Sequence, residues 1–444
     1  MAKKQKKELS PEERLAAARV PEEEWPYKLP EGWEWVRLEG IIDEIKNGTT
    51  IKQDKSGNGV SVTRIESLQN QTIDFSRLGT IVNEEEIKDS DWYRVGDIAL
   101  SHINSADHVG KTALITREML PLVHGMNLLR LRFGKYLLPK LFQLYSQSLQ
   151  YKEAVIERIN RAVNQVSINQ KQIKSIPFPL PPLEIQQQIV VNIESLFAKL
   201  DQAEEKALQT LATAETRKAA ILHQAFTGKL TEKWRAENSV SMEEWETVKL
   251  KDVCEKITDG THHSPQSFDA GEYMYVTAKN IKEYGIDLNN ITYVSKDVHD
   301  EIYSRCDVRY GDVLYIKDGA TTGIATVNTI EEQFSLLSSV AVLRPVAERL
   351  DARYLTYNLN SAETKAMMIN NMSGNAITRL TLKKIKDAEI MICSLHEQQE
   401  IVHILDELLA KEQQITALAE AVLDEIEATK KSILAKAFRG EWHK

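Results

Sequence analysis

Cysteine is scarce in this chain. Cys254, Cys306 and Cys393 lie far apart and form no CxxC pair, so neither a disulfide framework nor a cysteine zinc motif is expected. The three are read as ordinary thiols in a reducing compartment. Long apolar runs are missing as well: none approaches the ~20 residues that a membrane-spanning helix needs. The opening MAKKQKKELSPEERL has charges with no apolar core behind them, so it is not read as a secretory signal. These absences predict a cytoplasmic chain. A basic balance is also lacking. The net charge is −9, and neither half of the sequence is basic. Any affinity for nucleic acid would rest on local basic faces or on partner subunits.

What is present is a core-forming composition, 42% hydrophobic over 444 residues, which is enough for two or three domains. The chain also repeats itself. WEWVRLEGIIDEIKNGT (Trp33–Thr49) matches WETVKLKDVCEKITDGT (Trp245–Thr261) at an offset of 212 residues, sharing Val36/Val248, Leu38/Leu250, Ile45/Ile257, Gly48/Gly260 and Thr49/Thr261. EIQQQIV (Glu184–Val190) matches HEQQEIV (His396–Val402), and ILHQAFTGKL (Ile221–Leu230) matches ILAKAFRGEW (Ile433–Trp442), both again at 212. A looser echo joins Val95–Asp97 to Tyr310–Asp312 at 215. The ends of each half agree better than the middles, which reads as one scaffold duplicated around two variable bodies. A solenoid would show a period of roughly 20–50 residues, and none appears.

Two stretches carry helical periodicity. Ile189, Ile193, Leu196, Leu200, Ala203 and Ala207 form a coiled-coil seam, resumed after one stutter by Leu211, Ala214, Lys218, Ile221 and Ala225. The second copy runs Ile401, Leu405, Leu408, Glu412, Ile415, Ala419, Leu423, Ile426, Lys430, Ile433 and Ala437. Pro179, Pro181 and Pro182 end what precedes the first helix, and Gly228 and Gly440 supply the stops. Each helix is about 42 residues, roughly 60 Å long at ~1.5 Å per residue. Their matched seams predict an antiparallel pair with a globular body at each end. The bodies, residues 30–181 and 242–393, read as mixed α/β: runs such as GDIALSHI, LLRLRF, GDVLYI and SVAVLRP alternate with Gly/Asn/Asp turns.

The ordered set of motifs resembles the DNA-specificity subunit of type I restriction–modification enzymes. It comprises a GW/EW..V.L opening (Leu29–Trp33), the NG turn (Gly48–Thr49), Ile176–Pro182 and Gln186–Ile189 into a long helix, and a closing AF.G.L (Ala225–Leu230), with a second copy following. The match covers nearly all of residues 29–442. It implies an α+β fold: two α/β target-recognition domains related by an internal repeat, separated by two long antiparallel coiled-coil helices. The implied segments are an N-terminal extension 1–28, a first recognition domain 29–182, a spacer helix 183–230, a linker 231–241, a second recognition domain 242–393 and a second spacer helix 394–442. Each domain would read one half of a split, asymmetric DNA site, with the helices as ruler and as docking surface for two methyltransferase subunits. Restriction subunits with translocase and nuclease activity would join them. No cofactor is expected on this chain itself; S-adenosylmethionine, ATP and magnesium are implied for the partners. The second copy departs from the pattern by replacing IPFPLPPLE with IMICSLHE, which predicts a less firmly defined helix start. The extension, with Lys3, Lys4, Lys6 and Lys7, is read as a solvated tail outside the repeat.

Catalytic machinery is not apparent. Gly110–Thr112 spells GKT, but Ser105 stands where a phosphate-binding loop needs its first glycine. No Asn/Asp-Pro-Pro-aromatic tetrapeptide and no cofactor-cradling glycine loop occurs, and His262-His263 has no partner set at ligand spacing. The alternatives to a DNA reader are a coiled-coil scaffold with two protein-binding domains and, less well supported, part of a fused restriction–methylation enzyme.

Base and phosphate contacts need donors and amides on loops that reach a groove. In the first body these criteria select Asn47, Thr49, Thr50, Lys52, Arg64 and Gln69, the loop His102, Asn104, Ser105, His108 and Lys111, and Arg161, Asn164 and Gln165 before the helix. In the second they select Thr261, His262, His263, Lys279 and Asn280, the loop Lys317, Thr321 and Thr322, and Asn375, Thr378 and Arg379.

Overall fold

The structure is a computed structural model describing residues 9–54, 57–161, 165–370 and 380–443. It forms two compact units, Met1–Ala207 with Ala421–Lys444, and Leu208–Glu420. Both long helices are cut by this division, so each unit combines one body with the start of its own helix and the end of the other.

At the centre of the first unit, Leu128–Phe133 pairs antiparallel with Ile42–Asn47 on one side and Ile98–Ser101 on the other, and Ile98–Ser101 pairs with Thr112–Leu114. Leu128, Leu129 and Leu131 are all buried, as expected for a central strand covered on both faces. The second unit repeats the sheet in the same order: Cys254–Asp259, Val340–Pro345, Val313–Ile316 and Ala325–Val327. Leu131 faces Ile45 and Ile98, and Leu343, its counterpart 212 positions on, faces Ile257 and Val313.

The shared residues hold this frame. A β-carbon on Gly48 would lie 1.8 Å from the Gly125 oxygen, and one on Gly260 would lie 1.9 Å from the Leu336 oxygen, so only glycine lets the chain pass there. The buried Gln186 amide accepts from Leu138 N (2.9 Å) and donates to the carbonyls of Tyr136 and Pro181. Gln398 does the same with Asp351 N (2.8 Å), Arg349 and Cys393. Each glutamine thereby ties the first turns of a long helix to its body. The ends of the helices lock into the opposite half's core. Phe438 packs edge-on against Tyr145 (5.0 Å), and Phe226 packs edge-on against Tyr354 (5.3 Å).

The first long helix is drawn as Leu183–Ala212 and Ala214–Phe226, joined at Thr213. The Thr213 hydroxyl donates back to the carbonyls of Gln209 and Thr210, which competes with regular helix bonding. The second helix is continuous over Leu395–Arg439. Its start is as well defined as that of the first, because Glu389–Ile392 pairs with Glu246–Lys249 just as Pro177–Leu180 pairs with Glu34–Arg37. The second entry thus forms without the prolines of the first. Gly228 and Gly440 end the helices at φ +74° and +70°, the left-handed conformation that glycine favours. Within the first unit the helix pieces run antiparallel, with Lys430 between Asp201 (2.6 Å) and Glu204 (2.7 Å). Within the second, Arg217 meets Glu412 at 2.9 Å. The seam assigned from periodicity is unevenly buried: Ala207, Ala419 and Ile426 are covered, whereas Leu196 and Ile415 are 37% and 41% exposed.

One expectation is corrected outright. Described from residue 9 onward, the N-terminal segment is not a solvated tail. Ser10 and Glu13 form a capping box on the helix Pro11–Ala17. Ala18 packs on Gly40, and Val20 N donates to Trp35 O (2.9 Å). Val20 and Leu29 are buried in the core of the first unit. Apolar side chains at 15, 18, 20 and 29 drive this docking, and the lysines ahead of residue 9 lie outside the described residues.

Candidate nucleic-acid interface

Because Ile42–Asn47 and Ile98–Ser101 both run antiparallel to Leu128–Phe133, they are parallel to each other. Their C-terminal ends therefore emerge at one edge of the sheet, beside the loop that enters the central strand. Thr49 N donates to His124 O (2.8 Å) and Ile168 N to His102 O (2.9 Å). Asn104 pairs with Val166 and Arg161 with Val166 in a small three-stranded sheet, while Gln170 Nε2 donates to Asn47 Oδ1 (3.3 Å). The edge thus brings together Asn47, Thr49, Thr50, His102, Asn104, Ser105, Arg161 and Gln165, which were selected from separate loops. Burial draws the His102 pKa below its ordinary value against an opposing hydrogen bond to Asn127, so the ring is neutral at pH 7 and its Nδ1 has no partner.

The remaining candidates of the first body lie to the side. The Arg64 guanidinium donates to Glu66 (2.9 Å) and Gln53 (3.4 Å), and Gln69 Nε2 to Glu66 O (3.0 Å). Their turn reaches the edge through Thr63, whose Oγ1 accepts from Gly125 N (2.9 Å). Lys111 Nζ donates to His108 Nδ1 (2.8 Å), and Lys52 is exposed.

The second body builds the same edge with other side chains. Thr261 N donates to Leu336 O (2.8 Å) and Leu380 N to Lys317 O (3.1 Å), the counterparts of the two bonds above. His262 and His263 are exposed next to Thr261, and Thr321 is exposed beyond Lys317. Thr322 Oγ1 turns back to Gly319 O (2.7 Å). Two selected residues face inward. Lys317 is 6% exposed, held by Asp318 (2.9 Å) and Asp259 (3.4 Å). Asn280 is 7% exposed; its Oδ1 accepts from the Thr277 amide and hydroxyl, and its Nδ2 donates to Asp287 O. As placed, their polar atoms are committed within the protein. Lys279, beside Asn280, is exposed. Asn164, Asn375, Thr378 and Arg379 lie outside the described residues.

The loop reading missed Asp259. It stands at the position of Asn47 and gathers Arg305 (3.2 Å), Lys317 and His262 (3.5 Å) at this edge. The DGT/NGT alignment held the signal, since the residue before the shared glycine differs in charge between the copies. Among the described residues no group of three or more His, Cys, Asp or Glu could hold a metal ion, and no helix is long and apolar enough to cross a membrane.

One frame used twice, with two unlike polar edges rich in amides, hydroxyls and basic groups, defines a two-site recognition protein. Its kin are consistent with that class. The family described as type I restriction modification DNA specificity domain matches residues 30–212 and again 242–427. The putative type I restriction enzyme MjaX specificity subunit of Methanocaldococcus jannaschii is 30% identical, over 93% of this chain and 94% of its own length. A chain solved in work on complex assembly and conformational transition of the type I R-M system superposes with TM-score 0.69 at 20% identity, covering 94% of this chain and all of that one. The HsdS subunit from Thermoanaerobacter tengcongensis superposes with TM-score 0.62 at 18% identity, covering 94% and 99%. This chain belongs to the type I restriction–modification specificity-subunit family.

Proposed function

We propose that this chain is the non-catalytic DNA reader of a cytoplasmic type I restriction–modification enzyme, and that each sheet edge reads one half of a bipartite, asymmetric site. The observation that carries the reading is the pair of edges: the same backbone bonds place the exposed Asn47, Thr50 and Ser105 at one edge, and the exposed His262, His263 and Thr321 at the other. Two copies of one reader would need only one set of side chains; two different sets suit an asymmetric target. Requiring both halves multiplies specificity, since each wrong base pair costs about 1–3 kcal/mol. Two methyltransferase subunits dock along the long helices, where Val191 and Leu418 leave apolar surface in water, and restriction subunits join through them. S-adenosylmethionine, ATP and magnesium belong to those partners. The acidic balance of the chain means that tight DNA binding requires the methyltransferase subunits, whose own charges supply part of the phosphate contact.

A gel shift with a randomised duplex pool, with and without the methyltransferase subunits, tests this. Selection of a two-part motif by the assembled complex is expected. Recovery of no motif, with capture of an unrelated protein by the same edges, would make the chain a scaffold.

A further inference from the structure

We infer that a recess in the second unit seats a phosphate of the DNA backbone beside the half-site that this unit reads; the inference rests on the DNA-reading function proposed above. The recess has a volume of about 690 Å³ and is lined by Tyr275, Thr277, Lys279, Asn280, Lys282 and Ser339, among others. It adjoins the reading edge. Ser339 O accepts from Lys317 N (2.9 Å), and Leu337, also in the lining, bridges to Thr261.

Its chemistry is that of an anion site. Lys279 and Lys282 have no carboxylate within ion-pair distance among the described residues. Several other lysines of the unit are neutralised: Lys218 and Lys365 share Glu283, and Lys256 meets Asp307. Lys282 is half-buried, so part of its hydration is lost without a counter-charge in return, a deficit that a bound anion removes. Asp287, the one carboxylate in the lining, accepts from the Asn289 backbone N–H (3.0 Å). Beneath the floor, the hydroxyls of Tyr275 (6% exposed) and Ser339 make no hydrogen bond within the protein. Ammonium and hydroxyl donors around one hollow suit a phosphodiester, whose oxygens only accept. A convex backbone also fits a recess better than a base edge does, because bases are reached by protruding groups.

The seat is particular to the second unit. In the first, the strand position of Tyr275 is taken by Val62, which bridges Val123 as Tyr275 pairs with Ser335, and Val62 lies in an apolar cluster with Ile81 and Val123.

The test uses the full chain assembled with its methyltransferase subunits and measures affinity for the cognate duplex across a salt series. The double variant Lys279→Ala/Lys282→Ala is expected to bind about tenfold more weakly, with the slope of log K against log salt reduced by about one. Tyr275→Phe is expected to weaken binding a few-fold with the slope and the methylated motif unchanged. Unchanged affinity and slope in the double variant would overturn the seat. So would a motif that loosens at a single base, because the recess would then read sequence. If the unmodified complex shows no preference for any sequence, the DNA-reading function fails separately; the slope on arbitrary duplex still decides the seat.

Discussion

In the first unit Arg132 holds the buried Asp97 by two hydrogen bonds of 2.7 and 2.8 Å, and in the second Arg344 holds the buried Asp312 by two of 2.8 Å. These arginines stand 212 positions apart, on the central strands of matching sheets. A few residues away the units part company. His124 lies in the first where Leu336 lies in the second, Asn47 where Asp259 lies, and Val62 where Tyr275 lies. The difference teaches which positions serve the scaffold and which are free to vary. The arginine–aspartate clamp that braces the shared sheet recurs in both copies. At the edge the backbone bonds are shared while the side chains differ, even where they are buried, as His124 and Leu336 are.

The comparison can be broken where it is strictest. Arg344→Leu strands the buried Asp312 and is expected to destabilise its unit by about 3 kcal/mol, whereas Arg132→Leu is expected to cost less, because the buried Arg130 remains 3.8 Å from Asp97. Hydrogen exchange, read peptide by peptide, checks this: protection should fall in the sheet of the altered unit. Loss of protection in neither sheet would show that the clamp is not part of the frame.

It can be sharpened where the copies differ. Burial pushes the His124 pKa down to about 3, and its Nε2 donates to Leu128 O at 3.0 Å. In the unfolded chain the same ring protonates near its ordinary value of about 6.5. The folded state therefore binds fewer protons between these values, so the stability of the first unit is full above about pH 6.5 and falls as pH drops toward 3. Between pH 7 and pH 5 this single group accounts for about 2 kcal/mol. Leu336, in the equivalent place of the second unit, does not titrate. The variant His124→Leu is expected to flatten the acid sensitivity of the first unit while costing about 1 kcal/mol at pH 7 for the lost hydrogen bond. Urea midpoints at the two pH values decide it, and an unchanged pH dependence would contradict the assignment.

The same logic explains what could be read from residues alone. Gly48 and Gly260, Gln186 and Gln398, and the two AF.G closures are legible because one physical demand preserves the same residue twice. Arg132 and Arg344 obey the same rule but were passed over, since an arginine on an alternating strand looks like a solvent-facing residue until its partner is located. The docking of residues 9–29 escaped because it depends on contacts with Gly40 and Trp35 that no local pattern encodes. Among the site candidates, the loop ends near Asn47, His102 and Thr261 were found from polarity following a strand. Lys317 and Asn280 have the same polarity, and only the positions of Asp259, Asp318 and Asp287 show that they turn inward. Loop chemistry is visible in a sequence; the direction in which a side chain points is not.

Two readers with separate edges on a common frame should be separable in what they recognise. The most direct measurement is the methylation motif in cells that carry the chain with the methyltransferase subunits proposed for it, compared with a triple variant in which Asn47, Asn104 and Arg161 are alanine. Relaxation of one half of the motif, with the other half and the spacing between them intact, is the predicted result. A motif that changes in both halves at once, or in neither, would contradict the account.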